Sequence, residues 1–151
     1  MLALLQRVTN ARVEVGDRNV GAIGHGLLVL ICAEPDDTED GVSRLVDRLL
    51  ALRVFADADG RMNLDLKAVG GGLLLVPQFT LAAETRKGTR PGFSRAAPPE
   101  LGRRWFDRVL ALARERHAPV AAGEFGAHMA VTLTNDGPVT LWLTSAPGTE
   151  R

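Results

Sequence analysis

The strongest constraint on the fold is an apolar segment with no polar interruption. Residues 27–32 read LLVLIC and do not alternate between apolar and polar side chains. A strand with this pattern is covered on both faces, because either face would otherwise expose hydrophobic side chains to water. The segment is far shorter than the roughly 20 residues that span a bilayer. We therefore expect a central strand in a layered domain, and no membrane partner.

Five further segments also have the pattern of strands. Alternation of apolar and polar residues predicts half-buried strands, and a second uninterrupted apolar run predicts a buried one. In chain order, these predicted strands cover residues 11–15, 20–23, 73–76, 131–134 and 139–144. The sequence Asn-Asp-Gly-Pro at 135–138 separates the last two segments, so we expect a C-terminal hairpin with its turn at these residues.

Two segments have helical periodicity instead. Asp36 and Glu39 have the spacing of a capping box, and apolar residues at helical spacing follow them. Pro98 and Pro99 suit the first turn of a second helix. The predicted fold class is α/β: a single domain over residues 1–145, with a mixed, curled, barrel-like β-sheet and two main helices packed on it. Residues 146–151 are expected to form a flexible tail.

Charge and cysteine content restrict the partners and the compartment. The 151 residues include 18 basic and 18 acidic side chains, so the formal net charge is zero. A protein that coats long nucleic acid usually has a basic excess, so any nucleic-acid partner should be held through a small footprint. The single cysteine, Cys32, lies in the apolar run, which favours inert packing and a reducing, cytoplasmic location.

The common catalytic and metal-binding motifs are absent. The three histidines have no cysteine or histidine at metal-ligand spacing. The loop that begins at Asp57 and includes Asp59 has its glycine at the fourth position, whereas a calcium-binding loop has it at the sixth. The chain contains neither a phosphate-binding GxxxxGK[ST] motif nor a GxSxG nucleophile elbow. We expect no metal and no cofactor, and an enzyme of this sequence would show no conventional side-chain nucleophile.

Two local signals remain. Pro77-Gln-Phe-Thr-Leu81 ends a buried strand and leads into a glycine-containing loop with Arg86, Lys87, Arg90 and Arg95. Unpaired backbone N–H groups at such a strand end can bind anions, although a solvated basic loop has the same composition. The second signal is Gly137-Pro138, which is equally compatible with an ordinary turn.

The sequence resembles the D-aminoacyl-tRNA deacylases over nearly its whole length, residues 1 to 144. The resemblance is carried by LLQRVTNARVEV, VGAIGHGLLVL, RVFADADGRMNLDL, QFTLAAETRKGTRPGFS and NDGPVTLWL. It implies a homodimer that hydrolyses the ester between a D-amino acid, or glycine, and the terminal adenosine of a tRNA. The basic residues Arg86, Lys87 and Arg90 would then bind the tRNA acceptor end.

The resemblance also implies roles for particular residues. Gly137 and Pro138 would form a cis dipeptide that reaches into the partner's site and binds substrate, with Arg7 holding it in position. The family segment SQFT matches Pro77 to Thr80, so Gln78 would bind substrate, and Phe79 and Thr80 would be catalytic. The Phe79 N–H would face the ester carbonyl. Pro77 replaces the family serine, so any role of that hydroxyl is absent.

Three mechanisms remain open at this point. In the first, the site rejects L-amino acids by steric clash, the Phe79 N–H stabilises the oxyanion, and the ribose 2′-hydroxyl of the RNA assists an attacking water. In the second, Thr80 is a covalent nucleophile, although no adjacent general base is evident. In the third, the chain is a non-catalytic module that binds the tRNA acceptor end.

Overall fold

The sheet is built around one long strand that has partners along both of its edges. The structure is a computed structural model, and it describes residues 1–146. The strands are β1 (Leu2–Val15), β2 (Arg18–Ile23), β3 (Gly26–Cys32), β4 (Phe55–Ala56), β5 (Met62–Leu64), β6 (Gly72–Pro77), β7 (Val120–Ala122) and β8 (Ala130–Thr144). The helices are α1 (Glu39–Ala51) and α2 (Pro99–Arg116), and a 3₁₀ turn covers Phe79–Ala82.

The main sheet is mixed. Strand β1 pairs antiparallel with β3 through its first half and with β2 through its second half, while β8 pairs with β1 antiparallel along the opposite edge. Strands β3, β6 and β7 then continue the sheet in parallel. The order is β2-β1-β3-β6-β7 with β8 added to β1, and β4 and β5 form a separate two-stranded sheet. As predicted, β3 lies in the interior of the sheet.

The sheet curls until its two ends nearly meet. A Cβ atom on Gly21 of β2 would lie 2.5 Å from the carbonyl oxygen of Ala122 in β7, so only glycine permits this approach of the two backbones. The predicted α/β fold, with a curled barrel-like sheet and two main helices, is confirmed.

The two helices cover one face of the curled sheet. Apolar side chains of α1 and α2 pack with those of β1, β3 and β6 in the larger of the buried clusters, which includes Leu45, Leu49, Trp105, Phe106 and Val109. The helices also meet through an ion pair, since Arg108 hydrogen-bonds to Glu39. This bond from the guanidinium lowers the pKa of the Glu39 carboxyl.

The capping prediction was wrong at the start of α1. The residue before the helix is Thr38, whose hydroxyl accepts a hydrogen bond of 3.2 Å from the backbone N–H of Gly41. Asp36 lies too far ahead of the first helical residue to cap it, and it is exposed. At α2 the prediction holds, because Pro98 precedes the helix and Pro99 is its first residue.

The predicted C-terminal hairpin was also wrong. Residues 130–144 form one strand that pairs with β1 on both sides of Asn-Asp-Gly-Pro, so the chain does not reverse there. The turn-forming residues instead bulge out of the ladder. The short strands β4, β5 and β7 were not predicted either.

No helix within residues 1–146 is long and apolar enough to cross a bilayer. The predicted flexible tail falls almost entirely on residues 147–151, which lie outside the described residues.

Candidate functional site

The bulge in β8 lies opposite a single residue of β1. Gln6 pairs with Thr140 and Val8 pairs with Asn135, so only Arg7 separates the paired positions on β1, whereas residues 136–139 separate them on β8. A strand with extra residues bends away from its partner. The extra segment, residues 136–139, is called the 136–139 bulge below.

Arg7 anchors this bulge to the sheet. Its Nε donates to the carbonyl oxygen of Asp136 at 3.1 Å and lies 3.2 Å from the Asp136 carboxylate. Its Nη1 donates to the carbonyl oxygen of Val54 at 2.5 Å. The Arg7 side chain is only 14% exposed. A charged group at this depth depends on such bonds, and in forming them it fixes the backbone that accepts them.

Asn135 holds the bulge from the other side. Its Oδ1 accepts a hydrogen bond of 2.9 Å from the N–H of Val139, and its Nδ2 donates to the hydroxyl of Thr140 at 2.8 Å. The side chain thus spans the bulge and replaces a lost ladder bond. Sequence reasoning assigned Asn135 only to a turn. The available signal was the habit of asparagine of bonding backbone groups a few residues ahead.

Gly137 and Pro138 form the exposed tip of the bulge. The peptide bond between them is cis, as is that between Ala118 and Pro119. Gly137 has φ +131°, and a Cβ there would lie 2.9 Å from Val139 Cγ2 and 3.1 Å from Arg7 Nη2. Both the conformation and the space therefore require glycine.

The second part of the candidate site lies where β6 ends. Pro77 is the last residue of β6, and the next residue, Gln78, donates its N–H to the carbonyl oxygen of Ile31 at 2.7 Å. The nitrogen of Pro77 faces the opposite edge, toward β7, and the β6–β7 pairing ends before it at Leu75 and Ala122, so proline removes no ladder bond there. The Gln78 side chain then caps the 3₁₀ turn: its Oε1 accepts from the Thr80 hydroxyl at 2.6 Å and from the Thr80 N–H at 3.4 Å.

Phe79 is the first residue of the 3₁₀ turn. An N–H group in this position has no hydrogen-bond partner inside the turn, so it is available to an acceptor from outside. The Phe79 side chain is 58% exposed, which is unusual for a large apolar residue. A bound ligand could therefore accept a hydrogen bond from the Phe79 N–H while it contacts the Phe79 ring.

A cavity of about 620 Å³ opens beside the 3₁₀ turn. Its walls come from the ends of β3 and β6, the first turns of α2 and the segment before β8, and they include Gln78, Phe79, Phe106, Phe125 and Met129. A mostly apolar cavity of this size suits a small aromatic group such as a nucleoside.

Cys32 forms part of the wall of this cavity. Burial, followed by the negative charge of Glu34, raises the pKa of its thiol to about 11. Its Sγ lies 3.5 Å from the carbonyl oxygen of Phe79 and 3.4 Å from that of Ala33. The thiol therefore stays protonated at neutral pH, where it is a poor nucleophile.

The bulge and the cavity are separate features of one chain. The residues that line the cavity include Gln78 and Phe79, but Arg7, Gly137 and Pro138 are not among them. The structure thus places the two predicted halves of the site in different regions of the subunit.

The predicted basic residues lie on an exposed loop. Two backbone hydrogen bonds between Glu84 and Gly92, of 2.8 and 3.0 Å, close this loop at its base. Arg86, Lys87 and Arg90 lie inside it and are exposed. Arg95 lies beyond it and is 3.7 Å from the Glu34 carboxylate.

The described part of the chain contains no cluster of three or more histidine, cysteine or acidic side chains that could hold a metal ion.

Comparison with known proteins places these features in one family. The family model described as D-Tyr-tRNA(Tyr) deacylase matches residues 4–144. The D-aminoacyl-tRNA deacylase of Azotobacter vinelandii is 62% identical over 143 residues, which cover 95% of this chain and 99% of that protein. That of Methylibium petroleiphilum is 62% identical over 141 residues, 93% of each chain.

Solved structures share the fold. A structure named c-Myc DNA Unwinding Element Binding Protein matches with a TM-score of 0.91 and 38% identity, covering 97% of this chain and 99% of that chain. A probable eukaryotic D-amino acid tRNA deacylase matches with a TM-score of 0.78 and 21% identity, covering 94% and 97%. At the second identity the likeness concerns the fold alone.

The geometry of the bulge gives a first prediction. Gly137→Ala should lower the free energy of unfolding by about 1–3 kcal/mol, because alanine disfavours this φ and its Cβ crowds Arg7. Urea denaturation followed by circular dichroism measures the change. Gly24→Ala is the matched control, since a Cβ on Gly24 meets no atom within 4 Å. Equal stability of the two variants would contradict the prediction.

Proposed function

The chain belongs to the D-aminoacyl-tRNA deacylase family, and on this basis we propose that it hydrolyses the ester between a D-amino acid and the terminal adenosine of tRNA. The family places it among the hydrolases. The observation that carries the proposal is the match of the family model over residues 4–144, which includes both halves of the candidate site. We further propose that glycine esters are substrates, and that the enzyme acts in the cytoplasm.

The active unit is a homodimer in which each site uses residues of both subunits. Gly137 and Pro138 are exposed on their own subunit and do not line its cavity, so they are free to enter the cavity of a partner. The same strand exposes Leu141 and Trp142, which are large apolar residues of the kind that subunit contacts cover. Strand β8 is the face that we assign to the dimer.

The carbonyl groups of Gly137 and Pro138 bind the ammonium group of the aminoacyl moiety. Main-chain carbonyls are good acceptors for an ammonium group, and Arg7 and Asn135 hold the segment that carries them. With the amine and the ester both fixed, the configuration at Cα decides where the side chain points. A D side chain points to solvent and an L side chain meets backbone, whereas glycine has no side chain to exclude. Selection is thus by steric rejection.

The Phe79 N–H stabilises the charge that develops on the ester oxygen. Water attacks the carbonyl carbon, the oxygen becomes an oxyanion in the tetrahedral intermediate, and collapse releases the D-amino acid and the ribose hydroxyl. The vicinal 2′-hydroxyl of the substrate assists the attacking water. The proposed reaction uses neither a metal ion nor a cofactor.

Thr80 has an orienting role in this scheme. Its hydroxyl donates to the amide oxygen of Gln78 at 2.6 Å, and an amide oxygen is too weak a base to activate a nucleophile. The contact therefore favours a structural or orienting hydroxyl over a covalent one.

The exposed basic loop holds the RNA. Arg86, Lys87 and Arg90 lie on the segment that follows the 3₁₀ turn, close in sequence to the proposed oxyanion donor. Recognition of only the acceptor end requires few phosphate contacts, which fits a net charge of zero.

The function is tested with matched D- and L-tyrosyl-tRNA. The purified protein should release D-tyrosine and leave the L ester close to its spontaneous rate of hydrolysis, in the presence or absence of EDTA. Equal rates on the two esters would contradict the chiral mechanism. Binding of tRNA without release of either amino acid would support a non-catalytic binding module instead.

Thr80→Ala should retain measurable activity. Loss of the hydrogen bond to Gln78 should cost about 0.5–1.5 kcal/mol, which lowers kcat at most roughly tenfold. The measurement is single-turnover hydrolysis of D-tyrosyl-tRNA, with Thr9→Ala, at an exposed threonine of β1, as the control. An aminoacyl ester trapped on Thr80 would overturn this assignment and establish the nucleophile mechanism.

Subunit complementation tests the shared site. Gly137→Ala damages the bulge, and Phe79→Pro removes the proposed N–H donor, so each homodimer should be nearly inactive. A mixture refolded at equal amounts should regain about a quarter of wild-type activity, because half of the dimers are heterodimers with one intact site. Thermal melts establish that both variants fold. Failure of folded heterodimers to regain activity would place both elements in one subunit's own site.

A further inference from the structure

An exposed pair of aromatic rings lies at the mouth of the cavity. Phe79 and Phe93 are 58% and 38% exposed, and their ring centroids lie 5.0 Å apart with an interplanar angle of 71°. An edge-to-face pair leaves ring surface open on its outer side. Two adjacent exposed phenylalanines form a contiguous apolar patch, which is a common mark of a binding surface.

Phe93 is held in position by its neighbours. The paired backbone groups of Glu84 and Gly92 fix the residue just before it. The hydroxyl of Ser94, just after it, donates to the Glu84 carboxylate at 2.9 Å, and the N–H of Ala96 donates to the Phe93 carbonyl at 3.1 Å. The ring is therefore presented by an ordered frame, and a ligand need not organise it on binding.

Positive charge borders the aromatic pair. Arg86, Lys87 and Arg90 lie on the loop that the Glu84–Gly92 contact closes, and none of them forms an ion pair with an acidic group of residues 1–146. The nearest acid in sequence, Glu84, already accepts a hydrogen bond from Ser94. Exposed aromatic rings beside unpaired cations are the features that proteins use to bind single-stranded nucleic acid.

We propose that Phe93 is a stacking platform for the unpaired base that precedes the terminal adenosine of the RNA. The proposal rests on the proposed function, and it takes the terminal nucleoside to lie in the cavity beside Phe79, whose size and apolar lining suit one. The preceding nucleotide then lies at the cavity mouth, where its base meets Phe93 and its phosphate meets the cations of the loop. Stacking tolerates any base, and so this contact recognises an unpaired strand and not a particular sequence.

The kinetic test compares a substrate that has this nucleotide with one that lacks it together with the rest of the RNA. D-tyrosyl-tRNA has the preceding base, whereas the D-tyrosyl ester of adenosine lacks it. Phe93→Ala should lower the ratio of kcat/KM for the tRNA to that for the nucleoside ester by about 5- to 150-fold, mainly through KM. Phe93→Tyr keeps a stacking ring and should retain the wild-type ratio.

Met62→Ala is the matched control, because Met62 is an apolar residue that is 60% exposed and lies on β5. A ratio that is unchanged in Phe93→Ala would overturn the proposal. An equal fall in Phe93→Tyr would also overturn it, because a variant that keeps a stacking ring would then behave like one that lacks it.

A binding test does not depend on turnover. An RNA hairpin with the acceptor end, a D-tyrosyl group in amide linkage and 2-aminopurine before the terminal adenosine reports stacking by loss of fluorescence. Wild-type protein and Phe93→Tyr should quench the probe, and Phe93→Ala should bind without quenching it. Quenching that persists in Phe93→Ala would contradict the platform. If wild-type protein quenches the probe yet hydrolyses neither ester, the platform stands and the proposed function fails.

Discussion

The hydrogen bonds of Arg7 hold together the part of the molecule on which the proposed chemistry depends. One guanidinium on β1 faces a segment of β8 that is too long for the ladder, and it binds the Asp136 carbonyl of that segment together with the Val54 carbonyl across from it. Without this cation the bulge would have no partner on β1. Asn135 closes the opposite side through the Val139 N–H. The long β1–β8 pairing fixes the rest of the two strands, and Arg7 and Asn135 fix the segment of β8 that leaves this pairing.

The proposed site consists largely of main-chain atoms. In the proposed mechanism, the carbonyls of Gly137 and Pro138 and the N–H of Phe79 take the roles that side chains have in most hydrolases. A site of this kind needs no nucleophile, base or metal-ligand motif in the sequence. Pro77 is tolerated beside this site because its nitrogen faces the edge where the β6–β7 pairing has already ended. The side chains of Arg7 and Asn135 fix the backbone of the bulge, and the side chain of Gln78 fixes that of the 3₁₀ turn.

Sequence patterns predicted the buried strand β3, both helices and the mixed sheet, because burial imposes a local pattern of apolar residues on each element. They failed where distant pairing overrides local preference. Asn135 to Pro138 have the composition of a hairpin turn, yet β1 extends beside them and keeps the chain straight. The first half of β1 does not alternate, because its side chains are largely buried on both faces of the sheet. The family resemblance located the candidate site residues, whereas the bonds of Asn135 and the frame of Phe93 emerged only from the structure.

The buried thiol of Cys32 has a consequence for the durability of the enzyme. Peroxides and electrophilic drugs attack the thiolate form of cysteine, and a pKa of about 11 leaves almost none of it at cellular pH. The Cys32 thiol in the cavity wall is therefore less sensitive to oxidation than an exposed thiol of ordinary pKa. Because Cys32 is the only cysteine in the chain, covalent capture offers no easy route to inhibition. A compound that blocks this cavity would have to bind without a covalent bond to Cys32.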